Sequence, residues 1–169
     1  ATANITNGIA SAVIAAPSGG WKSGFYIVKV LVNVSGVLDT GESFLMVKIY
    51  QGFGMPVNPV TNQMDFTVSS TENASIKINV FDVKSNRPAE NLTVTLSKIL
   101  SFESFPPSEI TYDKSSVATG TTDSNGQVVM TLPVPSGGWA TGNFLSNFDV
   151  TNGTVTDSIQ GFFQVKNFF

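Results

Sequence analysis

Chemistry near neutral pH usually starts from histidine, cysteine or paired carboxylates, and this chain has no histidine and no cysteine. A serine triad, a thiol nucleophile and a zinc site of the ordinary kind are therefore out of reach. Disulfides and thiol redox chemistry go with them. What remains is oxygen. Glu42, Glu72, Glu90, Glu103 and Glu109 fall at expected turns, loops or strand ends, and none has the visible carboxylate partner that a glycosidase needs. Asp39-Thr40-Gly41-Glu42, and Asp123 with Asn125, can offer oxygens to calcium, yet neither completes a loop motif. Asp157, the later counterpart of Asp39, has no Glu three residues on. Turn chemistry is the expected role of these groups. The expectation is a protein that is not an enzyme, with no catalytic residue, no metal and no cofactor.

The elements that hold these residues are organised by a repeat. The tail of the chain restates its beginning at an offset of 118 residues: Asn7-Gly8 returns as Asn125-Gly126, and Pro17-Ser18-Gly19-Gly20-Trp21 as Pro135-Ser136-Gly137-Gly138-Trp139. Gly24, Val32, Val37, Asp39 and Phe44 return as Gly142, Val150, Val155, Asp157 and Phe162, and Val47-Lys48 as Val165-Lys166. A repeat of that length is a folded domain and not a solenoid turn. The 169 residues hold one full unit and the last half of another, so the expected division is an incomplete β half-unit at 1–51, a Pro/Gly connector at 52–61 and a complete β-sandwich at 62–169. Trp21 and Trp139 are the only tryptophans. Each is expected to plug the end of its sandwich, with a sugar-stacking platform as the functional alternative.

Composition agrees with an all-β chain. Only 12% of residues are charged, against about 25% in an average soluble domain, and Ser, Thr, Asn, Val and Gly take their place. The net charge of −3 provides no footprint for nucleic acid and no polybasic patch for an anionic membrane. No apolar run is long enough for a membrane-spanning helix. The polar start Ala1-Thr2-Ala3-Asn4 reads as a processed or excised end, without the long hydrophobic helix of type IV pilins and archaellins. Asn-X-Ser/Thr sequons at Asn4, Asn33, Asn73, Asn91 and Asn152 are candidate glycosylation sites of a surface protein, or incidental to an Asn/Thr-rich chain.

Alternation with period two runs through the chain. Met64-Phe66-Val68, Ile76-Ile78-Val80, Leu92-Val94-Leu96, Val128-Met130-Leu132, Phe144-Phe148-Val150 and Phe163-Val165 each present one apolar face. With a further strand near Ile110 to Val117, about seven strands are expected after residue 62, the count of an immunoglobulin-like antiparallel sandwich. The first half-unit is expected to supply strands at Ile9–Ala15, Tyr26–Val34 and Ser43–Tyr50. Ile27 and Leu31 lie opposite Val28, Val30 and Val32, so both faces of that sheet are partly apolar. Phe102 and Phe105, beside Pro106-Pro107, either cap one end of the core or touch a neighbour. Phe168-Phe169 is expected to be covered by a neighbour or by the junction between the units. An internal Lys–Asn isopeptide needs a buried Lys, and the place of Lys48 and Lys166 beside an inward Val puts both outside.

Two segments carry a family resemblance. Val80-Phe81-Asp82-Val83-Lys84-Ser85-Asn86-Arg87-Pro88-Ala89 precedes the hairpin signal Thr121-Thr122-Asp123-Ser124-Asn125-Gly126-Gln127, in which Asn-Gly favours a tight turn. The pairing, over about Ile76 to Leu132, resembles the immunoglobulin-like domains of invasin- and intimin-type adhesins. It is also similar to the macroglobulin-type sandwiches of long prokaryotic surface proteins. The resemblance implies a spacer or assembly module outside an archaeal or bacterial cell. Three strands alone leave one face bare and two edges open. The expected function is therefore an extracellular filament subunit, similar in architecture to the donor-strand pili of bacteria and the β-sandwich pili of archaea. In it, copies of the chain polymerise by strand complementation. The small-residue segment with Ile5, Ile9, Ala10, Ala12 and Ile14 is the candidate donor strand. The alternative is a piece of a multi-repeat S-layer, stalk or adhesin protein, with a carbohydrate-binding module ranked lower.

Overall fold

The computed structural model describes residues 1–167; the expected covering of Phe168 and Phe169 lies outside the described residues. The fold is almost entirely β, with no α-helix among the described residues. It divides into two compact units, 1–47 and 48–169.

Unit 1 holds one antiparallel hairpin, β1 (Gly24–Val34) and β2 (Val37–Val47). Its turn is Ser35-Gly36, both with positive φ, as a two-residue hairpin that follows the strand twist requires.

Unit 2 holds β3 (Tyr50–Pro56), β4 (Thr67–Ser69), β5 (Ala74–Asp82), β6 (Thr93–Ser101), β7 (Ser108–Glu109), β8 (Gly120–Thr121), β9 (Gln127–Leu132), β10 (Gly142–Thr151) and β11 (Thr156–Lys166). The strand order is β7-β6-β10-β11-β3-β5-β9, with β4 also on β11 and β8 on β6. Gly120 of β8 pairs with Val94 of β6 and packs so closely on Val128 and Met130 of β9 that a Cβ there would lie 2.5 and 2.8 Å from them. The short β8 thus links β6, next to one end of the curled sheet, with β9 at the other end. One core fills the interior, built from Ile76, Ile78 and Val80, Val94 and Ile99, Met130 and Leu132, Phe144, Phe148 and Val150, and Ile159, Phe163 and Val165. These are the inward parities of the alternating runs, which is why the strands form where they do.

Several elements differ from expectation. The segment read as a connector carries β3, which lies between β11 and β5 and pairs with β5 over its whole length. Its glycines serve close packing and not flexibility. A Cβ on Gly52 would fall 2.0 Å from the Asn79 carbonyl oxygen, and one on Gly54 would fall 2.8 Å from Gly161 Cα. The sheet is mixed and not purely antiparallel, because β3 and β4 both run parallel to β11. Near Ile110 to Val117 a short 3-10 turn, Lys114–Ser116, replaces the strand. The Asp113 carboxylate accepts from the Ser115 backbone N–H at 3.0 Å and caps that turn. Phe102 and Phe105 stay out of the core: Phe105 is fully exposed, and Phe102 tilts against Phe162 at 6.3 Å.

Tyr112 packs flat on Trp139, with ring centroids 5.5 Å apart, and its hydroxyl donates to the Pro133 carbonyl. Burial pushes its pKa to about 12, aided by the nearby Asp113 charge and opposed by a bond from Ser116. The folded state therefore holds this proton more tightly than the unfolded chain. Its contribution is complete below about pH 10 and is lost as pH rises toward 12. Thermal midpoints measured across that alkaline window are expected to fall less steeply in Tyr112→Phe than in the parent.

Candidate functional site: the uncovered hairpin

The repeat is a repeat of structure, down to register. In β1–β2, Gly24 faces Val47, Tyr26 faces Leu45 and Val32 faces Asp39. In β10–β11, Gly142 faces Val165, Phe144 faces Phe163 and Val150 faces Asp157. Each of these pairs is the other shifted by 118. The approach to the hairpin is duplicated too. Gly20 N–H donates to the Pro17 carbonyl at 2.9 Å, as Gly138 does to Pro135 at 2.9 Å. Gly19, Gly20 and Gly24 have φ of 90, 82 and 151°, against 90, 83 and 150° for Gly137, Gly138 and Gly142. These positive values are open only to glycine without strain.

Surroundings, not backbone, separate the two copies. In unit 2, β6 borders β10, while β3 and β4 border β11. Phe144, Phe148, Val150, Ile159, Phe163 and Val165 are buried beneath them. Their counterparts Tyr26, Val30, Val32, Gly41, Leu45 and Val47 are exposed or half-exposed. Residues 48–118, which supply β3 to β7 in unit 2, have no equivalent in unit 1.

Asp157 shows what that cover does. Its buried carboxylate accepts from the backbone N–H groups of Ile49 at 3.0 Å and Tyr50 at 2.8 Å, pinning the start of β3 to β11. Asp39, at the same register, turns instead to the N–H of its neighbour Thr40 at 2.8 Å. By residue type alone Asp157 reads as a turn residue. The available signal was its parity, since it alternates in step with the inward Ile159, Phe163 and Val165.

The tryptophans divide the same way. Trp139 is buried, its Nε1 donates to the Glu72 carbonyl at 2.9 Å, and it packs against Tyr112, Phe144 and Phe163. No ring face is left open for a sugar. Trp21 is half-exposed, with Tyr26 edge-on at 5.1 Å.

Ile5, Ile9, Ala10, Ala12 and Ile14 lie exposed and in no strand, apart from a single bridge between Thr6 and Ile9. The strand expected at Ile9–Ala15 is absent for a physical reason. Its counterpart β9 has one ladder partner in the strand order, β5, and unit 1 contains nothing equivalent to β5. The outer face of β1–β2 is also apolar. Phe25, Leu31 and Met46 stand where β10–β11 carries Asn143, Asp149 and Gln164, and the Lys29–Glu42 ion pair sits across the hairpin at 3.4 Å.

The remaining candidates are dispersed. Asp123 accepts from Asn125 and Gln127 and closes its turn. Glu72, Glu90, Glu103, Glu109, Lys48 and Lys166 are exposed. The sequon residues Asn4, Asn33, Asn73, Asn91 and Asn152 are all exposed, although the side-chain oxygens of Asn33, Asn73 and Asn152 each accept a backbone N–H. Among the described residues no group of three or more Asp or Glu is placed to hold a metal ion, and no helix is long and apolar enough to cross a membrane. No family model matches the chain, and no curated protein matches it. The fold and the site therefore define only an all-β protein with one complete unit and one uncovered hairpin.

Proposed function

We propose that the chain is a structural, non-catalytic part of an extracellular surface filament, built from immunoglobulin-like sandwiches that complete one another by strand complementation between subunits. The observation that carries this reading is the hairpin β1–β2, which repeats β10–β11 in register while its core face is bare. A two-stranded hairpin is marginal alone in water, and an apolar face of this kind gains from being covered. Strand addition supplies main-chain hydrogen bonds for affinity and alternating side chains for register. The exposed sequons fit a glycan-bearing outer surface. Negative-stain imaging of the purified protein tests the proposal: filaments of fixed pitch are expected, and monodisperse particles at high concentration would argue against it.

A second reading has its own support. Unit 2 already engages each of β3 to β9 in its own sheet, so a complete copy has no spare set of these strands to offer. On that reading the complement of β1–β2 belongs to the same polypeptide, as one repeat of an S-layer, stalk or adhesin protein.

A further inference from the structure

We propose that β1–β2 is the docking face for a half-sandwich of one specific kind, a polypeptide of this chain's own repeat equivalent to residues 48–118, with Asp39 and Trp21 as its polar anchors. The inference rests on the reading of unit 1 as half of a sandwich and adds the identity and register of what completes it. The template is within the molecule. Residues of the 48–118 stretch cover β10–β11, with β6 antiparallel on β10 and β3 and β4 parallel on β11. The duplicated hairpin has the same register and the same entry turn.

Each anchor has a worked counterpart. Asp157 takes two consecutive N–H groups from the start of β3, so Asp39 takes the same two from the incoming strand, releasing Thr40. Trp139 takes the Glu72 carbonyl on Nε1, and its own N–H bonds the Ser70 carbonyl at 2.8 Å. Trp21 would take the equivalent carbonyls of the loop leading into the partner's β5. Residues 9–14 would then gain the β5-type neighbour that they lack and form the missing strand.

The partner differs from 48–118 in one respect that the hairpin dictates. Val30, Gly41 and Leu45 replace Phe148, Ile159 and Phe163, which are buried almost completely. Three large side chains are thus absent from the hairpin's share of the core. A matching partner fills that volume with bulkier residues of its own, because an unfilled core is unstable.

The test uses the full chain with a copy of residues 48–118 joined directly ahead of Ala1, whose repeat equivalent is Thr119. A second version also carries Val30→Phe, Gly41→Ile and Leu45→Phe, restoring the volume for this particular partner. Amide exchange of residues 24–47 is expected to slow by about 100-fold or more in the second version, to the level of β10–β11. With Trp139→Phe as background, Trp21 emission is expected to shift to the blue. Asp39→Ala in the same chain is expected to return about tenfold or more of the exchange rate. A hairpin that stays unprotected in both versions, while unit 2 remains protected, overturns the proposal. Filament formation by the parent chain is scored separately, so the failure of one reading does not mask the other.

Discussion

Phe163→Ala is expected to lower the unfolding free energy of unit 2 by about 4 kcal/mol, while Leu45→Ala at the matching position of β2 changes it by less than about 0.5 kcal/mol. The same hairpin register hosts both residues, so local strand propensity cannot account for the difference. Phe163 is fully buried, stacked on Phe144 at 5.3 Å and edge-on to Trp139 at 5.3 Å. Removing its ring opens a cavity in the aromatic centre of the core, and close-packed neighbours relax into it only partly. Leu45 is half-exposed and has little cover to lose. Urea denaturation followed by Trp139 fluorescence, with Trp21→Phe as background, reads both substitutions. Equal losses at the two positions would mean that the β1–β2 face is already packed in the isolated chain.

Asp157→Ala is the second large effect, a loss of about 3 kcal/mol. The alanine leaves the N–H groups of Ile49 and Tyr50 without their acceptor, and Tyr50 is buried. Such a loss costs more than a surface hydrogen bond because water cannot replace the carboxylate. Asp157→Asn keeps one side-chain oxygen and is expected to fall between the parent and alanine. Asp39→Ala should leave unit 2 unchanged, since the Asp39 carboxylate accepts from the Thr40 N–H within β2. Chemical denaturation of the three variants checks the order. An Asp157→Ala protein as stable as the parent would show that β3 is held by its ladders alone.

Much of this was legible in the residues. The 118-residue echo marks both hairpins, and the alternation at Ile76-Ile78-Val80 and at Val128-Met130-Leu132 marks β5 and β9, because half-buried strands impose period two. Three features were not legible, for distinct reasons. Residues 9–15 have a strand's pattern, but a strand exists only with a partner, and none is available within unit 1. Gly52-Phe53-Gly54 resembles a linker because glycine signals both flexibility and close approach; Asn79 and Gly161 decide for approach. Asp157 resembles a turn residue by type, and only its inward parity hints that backbone groups from more than 100 positions away would meet it.

The way β3 is fastened has a mechanical consequence. Asp157 holds Tyr50 beside the beginning of β11, β3 then runs parallel to β11, and the chain leaves that strand at Lys166. Entry and exit therefore lie on neighbouring strands, about 30 Å apart along their common direction. Tension applied through the two ends slides β3 against β11 and does not peel them apart. The pinning bonds and the Gly54–Gly161 contact must then yield together. In single-molecule pulling, unit 2 is expected to give a high rupture force, and Asp157→Ala a lower one. A unit strung in this way can transmit strain along the polypeptide without lengthening until it fails.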